Sequence, residues 1–418
     1  MRELGEGRIP MLEHSRLNAG RNKTSRDEVA RNALRWSTNL LVVFAAVILF
    51  VLAAEVTLRA AGREILATTA LEEHPQIGYT WRRNLSGRLS TIESPTPIRI
   101  NSLGLRDREY GPKPSGVRRV LVLGDSITAG YGVREESTFV KIAERKLNEN
   151  DPKHRWEIVN AGVPGYSTEQ ELELLRAVGR ELEPNTVLVA FYTGNDLGDN
   201  FRDRVSEPYV WKPQHEQVAK RRERWSIPVP SGTRLWLEQH SAFYVWFTNR
   251  YDQLLLRLGV RASVPIYTAP PWTAMCKKGQ LDNAMVVAWR LTFQWVAQMK
   301  REAEQLGATF GVLLIPCIAQ VDDEVLRADM VRFGLRPEDY DMFRPNSDLA
   351  ATLRQEGVPL LDVTEALRAN TRDGKRLFYR VNTHLTPVGH EVVASALSDM
   401  LTSLGPAMKE RSPGARSS

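Results

Sequence analysis

A serine, a histidine and an asparagine, each in a short polar segment, supply the residue types for acyl transfer. Ser126 closes the tripeptide Gly124-Asp125-Ser126, directly after the apolar run Val120-Leu121-Val122-Leu123. The segments Asn160-Ala161-Gly162, Gly194-Asn195-Asp196 and Asn382-Thr383-His384 follow further along the chain. Ester cleavage needs an activated nucleophile, a base for its proton, and donors aimed at the developing oxyanion. In that scheme Ser126 attacks the acyl carbon, while His384 takes its proton and returns it to the leaving alkoxide. The backbone N–H groups of Ser126 and Gly162 and the side-chain amide of Asn195 are the expected oxyanion donors. Taken singly, each residue has a plainer reading. Ser126 could cap a helix, Gly162 could relax a turn, and Asn195 could bond its own backbone. Their order, all at predicted strand ends, argues against coincidence.

The elements that must position these groups are legible from Arg118 onward. Short apolar runs at Val120–Leu123, Trp156–Val159, Val187–Phe191, Phe310–Ile315 and Pro359–Leu361 read as buried strands. Helical patterns follow at Phe139–Asn148, Thr168–Leu182, Ala284–Leu306 and Gly389–Leu401, and Thr168 with Glu171 fits a capping box. Such alternation predicts a parallel sheet with helices on both faces. In an open sheet of that kind, ligands bind beyond the carboxyl ends of the strands. Residues 64–117 carry short, turn-punctuated pieces and are expected to form a small β-rich preface. Residues 201–282 break the rhythm as an insertion, with a basic run at Lys220-Arg221-Arg222, several aromatics and Pro270-Pro271. Those aromatics could stack on sugar rings or close a subdomain core.

The four polar segments together resemble the SGNH/GDSL hydrolase family, a likeness running from Arg118 to Leu401. The stretch Asn101-Ser102-Leu103-Gly104-Leu105-Arg106-Asp107 is similar to the approach in its membrane-anchored bacterial members, and Thr383-His384-Leu385-Thr386-Pro387 to the family's final motif. The resemblance implies a flavodoxin-like three-layer αβα sandwich, residues 118–405, that cleaves or transfers esters through a serine without metal or other cofactor. One departure stands out. The family usually carries an aspartate two or three residues before the catalytic histidine, where this chain has Asn382 and Val381. An aspartate there would fix the imidazole tautomer and stabilise the imidazolium. Asn382 or a backbone carbonyl could orient His384 instead, or another acid such as Asp373 could be recruited. His390, six residues further on, is expected to pack or cap.

Bulk properties bound the rest. The chain has 418 residues and a formal charge of +6 from 56 basic and 50 acidic residues, spread along its length rather than gathered in a stripe. That distribution argues against nucleic-acid binding. Leu40 to Ala54 carries no polar side chain, and residues 36–60 are long enough to cross a bilayer. Arg21, Lys23, Arg26, Arg31 and Arg35 precede this segment, and only Arg59 and Arg63 follow it before Trp81. The positive-inside rule places residues 1–35, an expected disordered tail, in the cytoplasm. The large domain then lies in the periplasm or outside the cell, and a cleaved signal peptide and a buried core helix are the competing readings. Residues 406–418 are expected to be a disordered tail. Two cysteines, Cys276 and Cys317, make no zinc site, although export would allow one bridge if they meet.

The expected function is a membrane-anchored extracytoplasmic serine esterase removing O-acyl, for instance acetyl, groups from an envelope carbohydrate. An O-acyltransferase would use the same serine and histidine. A catalytically silent glycan-binding module is the alternative that the missing aspartate favours.

Overall fold

The computed structural model describes residues 13–62, 64–65, 69–90, 95–151, 153–205, 229–258, 272–379 and 382–404. The chain divides into two units, residues 1–61 and 62–418.

The first unit is one helix, α1 (Glu13–Ala60), and within it residues 34–60 are long and apolar enough to span a membrane. Residues 13–35, expected as disordered tail, are helical from Glu13 onward. No proline interrupts them, and extending a helix already nucleated by the apolar segment costs little per residue. Near its end Glu55 pairs with Arg59 one turn on, at 2.7 Å, in the favourable acid-before-base order. The remainder of that tail, residues 406–418, the run Lys220-Arg221-Arg222 and Pro270-Pro271 lie outside the described residues.

The second unit begins with the expected β-rich preface. β1 (Glu64–Ile65), β4 (Ser86–Leu89) and β5 (Thr96–Arg99) form one small sheet, and β2 (Leu71–His74) pairs antiparallel with β3 (Gly78–Trp81). The main sheet follows from β6 (Val117–Gly124), β7 (Arg155–Gly162), β8 (Thr186–Tyr192), β9 (Thr309–Ile315) and β10 (Leu360–Asp362). All five are parallel, in the order β10-β9-β8-β6-β7. Counted within this sheet, that is the flavodoxin-like order 2-1-3-4-5, in which the order of winding reverses between β6 and β8. Val187–Phe191 and Val120–Leu123 are buried on both faces, which is why they read as continuous apolar runs rather than alternating ones.

Helices cover both faces. α2 (Ser126–Ala129) follows β6 and α3 (Phe139–Asn150) precedes β7. α4 (Thr168–Leu182) and α5 (Asp196–Val205) follow β7 and β8. The insertion is helical where described, with α6 (Ser231–His240), α7 (Ala242–Arg257) and α8 (Trp272–Cys276). α9 (Asn283–Gln305) packs on α4 and α5. After β9 come α10 (Ile318–Val321), α11 (Asp323–Phe333) and α12 (Arg344–Gln355); α13 (Thr364–Arg372) and α14 (Pro387–Leu404) close the fold, α14 packing on α3. The insertion is tied to the preface, since Arg250 pairs with Glu64 at 3.0 Å and Asn249 bonds Ser90. Among the described residues its aromatics divide. Trp272 is buried, whereas Trp236 is exposed and stacks on His240 with ring centres 4.9 Å apart. Cys276 and Cys317 are buried free thiols, and burial pushes the Cys317 thiol up to about 11.

The capping box at α4 sits one residue earlier than the sequence suggests. Ser167 is the cap, and its N–H donates to Gln170 Oε1 at 3.2 Å. Both Ser-x-x-Gln and Thr-x-x-Glu fit the pattern, but Glu171 faces the interior and cannot turn back to cap.

Candidate active site

Asp125 caps the short helix α2, its Oδ1 accepting the Ile127 N–H at 2.8 Å, so that Ser126 opens the helix half-buried at the end of β6. Arg106 closes the other end. Its buried guanidinium donates to the carbonyls of Ala129 at 2.5 Å, Gly130 at 2.6 Å and Val133 at 2.7 Å. Helix termini leave such carbonyls without intrahelical partners; of these three, Gly130 O also accepts the Val133 N–H at 3.1 Å. Burial holds the Arg106 pKa down to about 10, so it remains charged at neutral pH.

His384 comes from the loop before α14. Its Nε2 lies 2.8 Å from Ser126 Oγ, and its Nδ1 lies 2.8 Å from the main-chain carbonyl of Asn382. A carbonyl only accepts, so Nδ1 carries the proton and Nε2 presents its lone pair to the serine hydroxyl. Asn382 therefore sits at the imidazole through its backbone. Its side-chain Oδ1 accepts the His384 N–H at 3.0 Å and tightens the same turn. Between the two, Thr383 has φ +58°, a costly conformation for a β-branched residue. That left-handed residue is what folds the carbonyl of position 382 back onto the ring. Tyr131 packs on the imidazole with ring centres 5.0 Å apart. Burial lowers the His384 pKa to about 4, with the Asn382 bond opposing.

Asp373 ends α13, exposed, and makes no bond to His384. Val381 lies outside the described residues. His390 is buried and packs and caps as expected, its Nδ1 accepting the Phe139 N–H at the start of α3 at 3.1 Å.

Gly162 does not present its N–H to the site. That group donates to Asn160 Oδ1 at 3.0 Å, and the carbonyl of Gly162 accepts from Trp81 Nε1 at 2.9 Å. Glycine is required there for packing, since a Cβ would be driven into the backbone of Thr128 and Ala129 in α2. Three residues on, Gly165 sits in the turn Val163-Pro164-Gly165-Tyr166, closed by Tyr166 N–H to Val163 O at 3.2 Å. With proline second and glycine third at φ +76°, this is a type II turn. Gly165 is half-buried, and among the described residues its N–H has no acceptor. The Pro-Gly pair was the sequence signal for this position.

Asn195 stands just after β8, half-buried, and its Nδ2 donates to Asp199 Oδ2 at 2.7 Å. Beneath it lie three buried carboxyl groups, Asp125, Glu171 and Asp196. Burial pushes Asp125 up to about 6, and burial together with the neighbouring acids raises Glu171 and Asp196 well above the carboxylate range. Among the described residues no three such groups converge in a metal-holding arrangement.

Residues 122–348 match the GDSL-like lipase/acylhydrolase family, and residues 288–416 match the SGNH hydrolase-like domain of the acetyltransferase AlgX. Thioesterase 1/protease 1/lysophospholipase L1 of Escherichia coli K12 is 26% identical over 157 residues, covering 37% of this chain and 71% of that protein. Among solved structures, that of TesA overlaps 69% of this chain and 99% of its own at 14% identity and a TM-score of 0.35. That of the acetyl xylan esterase AlAXEase overlaps 68% and 99% at 12% identity and a TM-score of 0.36.

Proposed function

The chain belongs to the GDSL-like lipase/acylhydrolase family, and from that premise we propose a membrane-anchored serine esterase acting on O-acyl groups of envelope carbohydrate. One observation carries the catalytic part. The Ser126 hydroxyl and the lone pair of His384 Nε2 meet at 2.8 Å with the imidazole held in the working tautomer. A silent binding module has no need of that pairing. The apolar segment of α1 and the arginines before it support a single-pass anchor with the catalytic unit on the non-cytoplasmic side.

In the first step Ser126 Oγ bonds to the acyl carbon while its proton passes to His384 Nε2. The carbonyl oxygen becomes an oxyanion facing the N–H groups of Ser126 and Gly165 and the second amide hydrogen of Asn195. The imidazolium then returns the proton to the departing alkoxide as the tetrahedral centre collapses to an acyl-serine. A second nucleophile, activated by the same nitrogen, releases the acyl group.

The match to the AlgX acetyltransferase domain supports a second reading, in which that nucleophile is a sugar hydroxyl. Feeding the detergent-solubilised chain p-nitrophenyl acetate with an oligosaccharide acceptor separates the two. Free acetate alone supports hydrolysis, and acetylated sugar supports transfer. Release of nitrophenol at an undiminished rate by Ser126→Ala would remove serine catalysis altogether.

A further inference from the structure

The hairpin of β2 and β3 lies outside the family-matched residues 122–348, yet it grips the turn that follows β7. Tyr79 is buried, and its hydroxyl donates to the carbonyl of Pro164 at 3.0 Å. Its own carbonyl accepts from the Tyr166 hydroxyl at 2.7 Å, and the two rings meet edge to face at 5.4 Å. Trp81 holds Gly162 O, and Gln170 Nε2 holds Ile77 O at 2.9 Å. Three of the four links end on residues 162–166.

The Tyr79 bond falls on one particular peptide. Pro164 C=O and Gly165 N–H belong to the same planar unit, the central peptide of the type II turn. In a trans peptide the C=O and N–H point in opposite directions. Types I and II differ chiefly by a flip of this central unit. A donor fixed on the carbonyl side therefore dictates where the N–H points, and hydrogen-bonding the carbonyl also polarises the N–H. Proline second and glycine third permit the type II state, and the Tyr79 hydroxyl selects it.

We propose that Tyr79 is a positioning residue for catalysis, its hydroxyl holding the Pro164–Gly165 peptide so that the Gly165 N–H is ready for the oxyanion. The preface is then part of the catalytic apparatus rather than a spacer. This rests on the reading of Ser126 as nucleophile and deepens it.

The test uses the full-length, detergent-solubilised chain and p-nitrophenyl acetate. Tyr79→Phe removes one hydroxyl and keeps the ring. Its kcat is expected to fall about 10-fold with KM within twofold, as for loss of an interaction made in the transition state. The acid limb of the rate profile should stay where it is, because His384 is untouched. Tyr166→Phe serves as the control: it removes a neighbouring bond of the same hairpin without touching the Pro164 carbonyl. It should lose a similar amount of thermal stability and keep its kcat. Rates are scaled to the folded fraction from near-ultraviolet circular dichroism, so a partly unfolded variant still reports. Equal kcat in Tyr79→Phe and wild type, or equal losses in both variants, overturns the proposal while leaving Ser126 catalysis standing. An inert wild type with no Ser126-dependent turnover overturns the function itself.

Discussion

Replacing Asn382 by aspartate puts a charge beside an imidazole that now has none. Burial takes the His384 pKa from 6.5 to about 4, so forming the imidazolium costs about 3.4 kcal/mol more than in water. In the proposed mechanism acylation passes through that imidazolium, and the deficit corresponds to about 300-fold in rate. The neutral carbonyl of Asn382 fixes the tautomer at 2.8 Å but supplies no countercharge. Asn382→Asp keeps the acceptor for the His384 N–H, now served by Asn382 Oδ1 at 3.0 Å. The new carboxylate must itself be partly desolvated, so the gain in kcat is expected at about 10-fold, with about 300-fold as the ceiling. The assay is kcat/KM for p-nitrophenyl acetate from acid to mildly alkaline pH. The working form is the neutral imidazole, so the rate rises with pH through its pKa, and kcat/KM reports the free enzyme. Wild type should show its acid limb near 4, and Asn382→Asp should move that limb upward while raising kcat at neutral pH. A wild-type limb near 6.5, or a variant with unmoved limb and unchanged kcat, would show that burial without a countercharge does not limit His384.

Two further outcomes follow from the buried charges. A carboxyl whose folded pKa is raised binds its proton more tightly when folded, so its contribution to stability is present on the acid side and lost as pH rises. For Asp125, raised from 3.8 to about 6, the loss amounts to roughly 3 kcal/mol across that interval. Calorimetry should find the catalytic unit melting several degrees higher near pH 5 than near pH 8, and Glu171→Gln should flatten that dependence. Arg106→Met strips the Ala129 and Val133 carbonyls of their donor, while Gly130 O keeps the Val133 N–H, and leaving two buried carbonyls unsatisfied should cost at least about 2 kcal/mol, read as a lower denaturation midpoint.

The central strands β6, β8 and β9 were legible because both faces of each are buried, which writes continuous apolar runs into the sequence. Ser126 and His384 were legible because the contact that joins them is made by their side chains, whose types the sequence shows. The orienter of His384 was not, since the group that bonds Nδ1 is a main-chain carbonyl, which every residue owns. What selects it is the left-handed Thr383, and nothing in a threonine announces that conformation. Gly162 reads as an oxyanion donor because it ends a strand beside the one that leads to Ser126. Whether its N–H is free depends on Asn160, and whether its small size serves ligand or packing depends on α2. Neither contact follows from local sequence. Gly165 was within reach of sequence reasoning through its proline neighbour, whereas Tyr79 and Trp81 were not, because their partners lie more than eighty positions away.

Activation of Ser126 by His384 is the step on which catalysis depends. A fluorophosphonate probe reacts quickly only with an activated serine, and intact-mass measurement reports each addition. Wild type should gain one probe mass within minutes, Ser126→Ala none, and His384→Ala only on far longer exposure. Equal labelling of all three proteins, or none in the wild type, would show that His384 does not activate Ser126.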